Sequence, residues 1–277
     1  MFSLLIPVYN EEGLIDELIS RSVKALETFS SNYEILFIND GSTDATLNKL
    51  LDARKKYHRI KIIDLSRNFG HQAAYTAGLE MALGNYVAMM DGDLQDPPEY
   101  LIEMYWKMKD ENLDIISGLR QGRKGKRLRL VTNLFHALFK KVSEIDGIEN
   151  SGNFSIMNRA AVNALLKMKE TIRYLPGLRS FIGFKHGFFE YVREDRKKGE
   201  PKMTLSKLMV LGADAIFSFS KLPIKICLFL GTFGTIIFML AGIYALVGKI
   251  IGFTLFGWSS TVLSIYFLGS IQLIFLG

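Results

Sequence analysis

The sequence predicts an α/β fold, a mostly parallel sheet with helices on both faces, followed by an amphipathic helix and a two-helix transmembrane hairpin. Two observations carry the sheet. Short apolar segments alternate with stretches of helical periodicity, and those segments are apolar throughout, as strands buried on both faces are. A third observation carries the hairpin: Ile226 to Val247 and Leu255 to Gly277 are runs of 22 and 23 residues without a charge. At about 1.5 Å per residue, each spans a hydrocarbon core of about 30 Å.

Phe2 to Val8 is the first strand. It closes on Pro7, Tyr9, Glu11 and Glu12, after which Leu14, Ile15, Leu18, Ile19, Val23 and Leu26 recur at helical spacing. Glu34 to Asn39 is the second, running into Asp40-Gly41-Ser42-Thr43-Asp44, where Ser42 or Thr43 can cap a helix that carries Leu47, Leu50 and Leu51. Ile60 to Leu65 is the third, followed by Ser66-Arg67-Asn68-Phe69-Gly70 and a helix through Ala74, Ala77, Leu79 and Leu83. Tyr86 to Met90 is the fourth. It delivers Asp91, Asp93 and Gln95 to a turn closed by Pro97 and Pro98, which cannot continue a ladder.

A helix over Leu101 to Met108 leads to a fifth strand, Asp114 to Gly118, and then to a glycine-spaced loop holding Arg120, Arg123, Lys124, Lys126, Arg127 and Arg129. Leu130 to Val142 is helical, Gly152 to Asn158 is a strand with Asn153 at its start, Tyr174 to Leu178 opens a short helix, and Gly187 to Val192 is the last strand. Arg193 to Lys202 is a polar, basic linker. Between Met203 and Leu222, Leu205, Leu208, Met209, Ile216 and Phe217 share one helical face while Lys207, Asp214, Ser218 and Lys221 share the other. Such a helix lies on a membrane surface or packs on the soluble domain. The expected divisions are 1–202 for the α/β domain, 203–222 for the amphipathic helix and 223–277 for the membrane pair, with spans near 224–248 and 254–277.

Charge placement sets the topology. Lys185 to Lys225 carries nine Lys and Arg, against Lys249 alone between the two apolar runs, so the α/β domain is expected on the cytoplasmic side of a multi-pass cell-membrane protein. Met1 to Tyr9 lacks the basic start of a signal peptide. Cys227 is the only cysteine, which excludes an internal disulfide and suits a reducing compartment. The net charge of +6 concentrates before the membrane runs and in the basic loop, a placement that fits anionic head groups or a phosphate-bearing lipid and argues against nucleic acid. The four histidines show no metal-ligand spacing, though His71 lies next to the Arg67 segment.

In parallel sheets ligands bind at the carboxyl ends of the strands. Pro7 to Glu11, Asp40 to Ser42, Arg67 and Asp91 to Gln95 all fall at those ends. The oxygens of Asp91, Asp93 and Gln95 suit a hard divalent cation, Mg²⁺ or Mn²⁺, whose shell substrate phosphates complete. The basic loop leaves the same edge, and its Arg forks match phosphate oxygens bidentately.

The segments LLIPVYNEE, FINDGSTD, LSRNFGHQAA, MDGDLQDPPE and RKKGEPKM, in order over residues 3 to about 205, resemble the family 2 glycosyltransferases of the GT-A, Rossmann-like fold. Within them they are similar to the polyisoprenyl-phosphate glycosyltransferases, which include dolichol-phosphate mannose synthase and the bactoprenol glucosyltransferases. LSRNFGHQ and DLQDPPE, with the two apolar runs, point to the bactoprenol subgroup. The resemblance implies that Pro7, Tyr9, Glu11, Asp40 and Arg67 hold the nucleotide, that Asp91, Asp93 and Gln95 hold Mg²⁺ or Mn²⁺, and that Arg120, Arg127, Arg196 and Lys202 meet the lipid phosphate. It places Asp93 and Asn153 at the reacting centre, and many relatives have Asp where this chain has Asn153.

The implied reaction is single-displacement, inverting transfer of one hexose from a UDP-sugar, UDP-glucose first, to undecaprenyl phosphate, by a homotetramer. UDP-N-acetylhexosamine and GDP-mannose stay open as donors. A processive synthase of this fold is disfavoured, because no Gln-x-x-Arg-Trp segment occurs and Trp stands only at 106 and 258. Asn153, which cannot act as a base, keeps open a membrane scaffold that binds nucleotide sugar without turnover.

Overall fold

The computed structural model describes residues 1–121, 151–168, 173–193, 222–251 and 257–276. The chain divides into two compact units, a sheet with its helices and a C-terminal helix pair. In order, the first unit holds β1 (Phe2–Val8), α1 (Ile15–Glu27), β2 (Tyr33–Asn39), α2 (Thr46–Lys56), β3 (Ile60–Asp64), α3 (His71–Met81), β4 (Tyr86–Met89), α4 (Tyr100–Asp110), β5 (Ile115–Gln121), β6 (Ser151–Asn158), α5 (Arg159–Lys167), α6 (Leu175–Phe181) and β7 (His186–Val192). The expected helix over Leu130 to Val142, the basic loop beyond Gln121 and the amphipathic segment over 203–221 lie outside the described residues.

The seven described strands form one sheet in the order β3-β2-β1-β4-β6-β5-β7. Pairing is parallel except along β6, which runs antiparallel to both β4 and β5. Every residue of β1 and β2 is buried, as expected of central strands covered on both sides. Leu4, Ile6 and Val8 face Ile15, Leu18 and Leu26 of α1 and Met104 of α4 in one core cluster. On the opposite face α3 packs closely enough that Gly78 meets Ile38 and Leu5 side chains. β3 at the sheet edge departs from the uniformly apolar expectation, with only Ile60 fully buried.

Pro7 stands in a central strand, where a missing N–H normally breaks a ladder. Here it breaks none. The register between β1 and β4 ends at Leu5 opposite Met89, with Met90 N donating to Leu5 O at 3.0 Å, so Pro7, two residues on and directed to the same side, stands past the end of that ladder. The same departure carries Asp91 out over the end of β1.

At the opposite end of the sheet, Glu34 of β2 ties four segments together. Its Oε1 accepts from Ser3 Oγ at 2.6 Å and Leu83 N at 2.7 Å, and Lys61 Nζ lies 2.6 Å from its Oε2. Ser3 Oγ in turn accepts from Gly84 N at 2.7 Å. Burial of Glu34, whose side chain is 2% exposed, opposes its charge, but Lys61, Ser3 and Leu83 outweigh burial and hold the carboxyl below its ordinary pKa.

The second unit contains α7 (Leu222–Ile251) and α8 (Trp258–Leu276). Over Ile224–Tyr244, α7 is long and apolar enough to cross a membrane, and it alone among the described residues meets that test. Its apolar side chains, Phe229, Met239 and Leu240 among them, are exposed. Outside lipid that surface would be unfavourable. The second expected span forms the 19-residue α8 beside it, with Phe238 and Phe267 rings 4.9 Å apart.

Candidate functional site

Four loops meet at the carboxyl ends of β1 to β4. The loops after β1 and β2 are fastened to each other: Asn10 N donates to Ser42 Oγ (3.0 Å), Thr43 N to Asn10 Oδ1 (2.8 Å), Glu11 N to Thr46 Oγ1 (2.9 Å), Glu12 N to Asp44 Oδ2 (3.2 Å) and Ala45 N to Glu12 Oε2 (2.9 Å). Ser42 and Thr43 therefore do not cap α2 as expected. Their groups cross to the neighbouring loop, and Asp44 Oδ1 accepts from Thr46 N at the start of the helix (3.0 Å). Asn39 Nδ2 donates to Asp64 Oδ1 at 2.7 Å, fixing the ends of β2 and β3.

Asp40 accepts two backbone bonds from the segment before α3, from Phe69 N at 2.8 Å and Gly70 N at 3.0 Å. Arg67 lies over the Phe69 ring at 4.2 Å. This segment crosses so near Gly41, at φ +68°, that a Cβ there would stand 2.5 Å from Arg67 C and 2.6 Å from Asn68 N. Both the backbone and the space require glycine. Gly41→Ala is expected to cost about 2 kcal/mol and to speed amide exchange at Phe69 and Gly70 selectively; unchanged protection of those two amides in exchange mass spectrometry would refute the tether.

The acidic turn is built tightly. Gly92 lets it lie on β1, since a Cβ there would meet Pro7 O at 2.7 Å. Leu94, at φ +58°, is buried, and Asp93 Oδ1 accepts from Gln95 N at 3.1 Å. Asp91 Oδ1 accepts from Tyr75 OH (3.0 Å) and Asn153 Nδ2 (3.4 Å) and faces His71 Nε2 (3.2 Å). Burial opposes charge on Asp91, but the neighbouring His71 prevails and holds its carboxyl well below the ordinary range. His71, its side chain 42% exposed, is shifted up by the same pairing against the opposing effect of burial.

The second oxygens of the two aspartates face one cation: Arg193 Nη2 lies 3.8 Å from Asp91 Oδ2 and 4.0 Å from Asp93 Oδ2. Arg193 Nε donates to Asp96 Oδ1 at 3.1 Å. Asp96 is wholly buried, accepts from Tyr191 OH at 2.5 Å and has Arg120 Nη2 3.8 Å from its Oδ2. Its carboxyl is raised by burial and by Asp91, which Arg120 and Arg193 oppose. Arg120 Nε also donates to Tyr191 OH at 3.3 Å, across the parallel pair in which these two residues stand opposite.

Asn153 enters from β6, with Gln72 Nε2 donating to its Oδ1 (3.4 Å) and His71 Nδ1 lying 3.3 Å from its Nδ2. Beneath it Arg179 of α6 is buried, donating to Asn153 O (3.0 Å), Gly152 O (2.6 Å) and the Ser155 hydroxyl. Burial brings its pKa down to about 10, so it stays charged.

The expected residues Pro7, Asp40, Asp91, Asp93, Gln95, Arg120 and Asn153 thus gather at one sheet edge, with Tyr9, Glu11 and Arg67 on the neighbouring loops. Arg127, Arg196 and Lys202 lie outside the described residues. Sequence reading passed over Arg193, Asp96, Tyr75, Gln72 and Arg179. Among the described residues, no three His, Cys, Asp or Glu groups stand together as a self-sufficient metal site. Two carboxylates facing a shared positive charge nevertheless fit a cation that takes its remaining ligands from phosphate and water.

The family described as Glycosyl transferase family 2 matches residues 3–169. A prophage bactoprenol glucosyl transferase homolog of Escherichia coli is 34% identical, covering 99% of this chain and 90% of its own length. The bactoprenol glucosyl transferase of Shigella phage SfX is 33% identical over 99% and 91%. Among solved structures, glucosyl-3-phosphoglycerate synthase from Mycobacterium tuberculosis, with Mn²⁺, UDP and phosphoglyceric acid, is 16% identical at TM-score 0.54, covering 78% of this chain and 76% of its own. The mannosyltransferase PcManGT from Pyrobaculum calidifontis, with GDP-Man and Mn²⁺, is likewise 16% identical at TM-score 0.52, covering 99% and 86%. At that identity the two structures show a shared fold.

Proposed function

The chain belongs to glycosyl transferase family 2, and from that premise we propose that it transfers one hexose from UDP-glucose to undecaprenyl phosphate at the cytoplasmic face of the membrane, with Mg²⁺ or Mn²⁺ and with inversion at the sugar carbon. The observation that carries the reading is the convergence of Asp91 Oδ2 and Asp93 Oδ2 on one positive charge, at a sheet edge where arginines also gather. The names of the bactoprenol relatives supply the acceptor and the sugar.

Pro7, Tyr9, Glu11, Asp40 and Arg67 hold the base and ribose on the fastened loops. Asp91, Asp93 and Gln95 would hold the cation, which when bound neutralises the departing nucleoside diphosphate. The acceptor oxygen is already anionic near neutral pH, so the new phosphate-to-sugar bond forms as the sugar-to-diphosphate bond breaks, without a strong protein base. Asn153 fits that chemistry: it cannot take a proton, and its amide holds Asp91 in place. Arg120, with Arg127, Arg196 and Lys202, takes the acceptor phosphate, and positioning supplies much of the rate. The two C-terminal helices both span the bilayer, and the assembly is a tetramer, as the resemblance implies.

Asn153 also favours a second reading, a scaffold that binds nucleotide sugar without turnover. Purified protein, Mn²⁺ and undecaprenyl phosphate, supplied in turn with labelled UDP-glucose, UDP-N-acetylglucosamine and GDP-mannose, separate the two. Label is expected in the lipid from UDP-glucose, and chelator is expected to abolish it. Tight binding of the nucleotide sugar with no lipid product from any donor establishes the scaffold instead.

A further inference from the structure

Under the hexosyl-transfer reading, on which the identity of the ligand rests, Asp96 and Arg193 have no assigned task. Yet Asp96 is wholly buried within the acidic turn, and Arg193 reaches it from the end of β7. The Arg193 guanidinium is held asymmetrically. Its Nε makes a 3.1 Å hydrogen bond to Asp96, while its Nη2 lies at 3.8 and 4.0 Å from Asp91 and Asp93, within ion-pair range but beyond hydrogen bonding. One end is anchored and the other only balances charge.

We infer that Arg193 is a phosphate-binding residue of this site, tethered by Asp96, which serves as counter-ion to Asp91 and Asp93 until a divalent cation takes them and then offers its Nη2 to a phosphate oxygen beside that cation. The anchor survives the exchange, because Asp96 is sealed from water and keeps its bond from Tyr191 OH and its charge contact with Arg120. An arginine fork fixed at one nitrogen presents its remaining donors in a set direction, which suits an oxygen of a diphosphate or monophosphate. Asp96 is then a positioning residue. The phosphate belongs either to the donor diphosphate or to the lipid acceptor.

The test uses the purified full chain in detergent, with calorimetry of Mn²⁺ alone and of UDP at saturating Mn²⁺, beside steady-state kinetics. Arg193→Ala is expected to bind Mn²⁺ alone several-fold more tightly, since two carboxylates lose their counter-charge, and to bind UDP with Mn²⁺ about tenfold more weakly. These opposite signs are not produced by a general loss of structure. If Mn²⁺ tightens, UDP is unchanged and only KM for undecaprenyl phosphate rises, the phosphate is the acceptor's. Asp96→Asn is expected to weaken UDP in the same direction, with little further effect on UDP in the Arg193→Ala background. Should Arg193→Ala fail to fold, Arg193→Lys keeps the charge but loses the fork, so Mn²⁺ affinity holds while UDP weakens. Metal and UDP affinities and both KM values within about twofold of wild type in either variant overturn the proposal. Wild-type protein that shows these binding effects in comparison with the variants but forms no lipid-linked hexose refutes the transfer reading and leaves Arg193 as a phosphate ligand.

Discussion

Asp93→Asn is expected to lower lipid-linked hexose formation by about a thousandfold with little change in thermal stability. The asymmetry follows from the geometry. Asn keeps an Oδ1 to accept from Gln95 N, so the turn retains its internal bond. What disappears is the negative charge at Oδ2, which with Asp91 Oδ2 faces Arg193 Nη2 and the proposed cation position. With half the anionic ligand set gone, a hard cation is held by Asp91 and its phosphates, and the departing diphosphate loses much of its neutralisation. Initial rates at saturating UDP-glucose, repeated over a Mn²⁺ titration, measure the effect. Full transfer by this variant at ordinary Mn²⁺ would remove the acidic turn from the mechanism.

Glu34→Leu is expected to destabilise the sheet unit by about 2 to 3 kcal/mol without touching the site. The substitution leaves the buried Ser3 hydroxyl and the Leu83 N–H without their acceptor, and it removes the counter-charge of Lys61, whose own side chain is 47% exposed and keeps its water. The pH dependence has a fixed sign. Glu34 is depressed in the fold, so its contribution is fully present above the unfolded carboxyl pKa of about 4.3 and is lost as pH falls below that value through the folded pKa. Thermal midpoints of wild type and Glu34→Gln measured from pH 7 downward should therefore converge in acid. A constant gap would mean that the ionised carboxylate contributes nothing.

The sheet was legible in the sequence because burial on both faces writes itself as short apolar runs, over residues 4–8 in β1, 35–38 in β2 and 86–89 in β4. The reversal at β6 was not, since a short strand such as SGNFSIMN carries no mark of its direction and only pairing with β4 and β5 reveals it. Asp91, Asp93 and Gln95 could be read together because one turn carries all three. Arg193 could not be joined to Asp96, 97 residues away, without the β5–β7 pairing that brings β7 alongside the turn. Arg179 left no trace at all: a guanidinium buried on backbone carbonyls of β6 has no sequence signature, and composition assigns arginine to the surface. Asp96, by contrast, was visible as a further acid in DLQDPPE, and its closeness to the proposed cation ligands was the unused signal.

The crossed bonding between the loops after β1 and β2 bears on redesign. Each loop is shaped by groups the other supplies: Asn10 reads Ser42 and Thr43, while Glu12 reads Ala45 and Asp44. A graft that imports only one of them from a relative arrives without its mould and collapses into a different shape, whatever its own residues prefer. Exchanged as a pair, 9–12 together with 42–46, they would carry their conformation with them, which makes the couple the unit to transplant for testing the base and ribose contacts proposed for these loops.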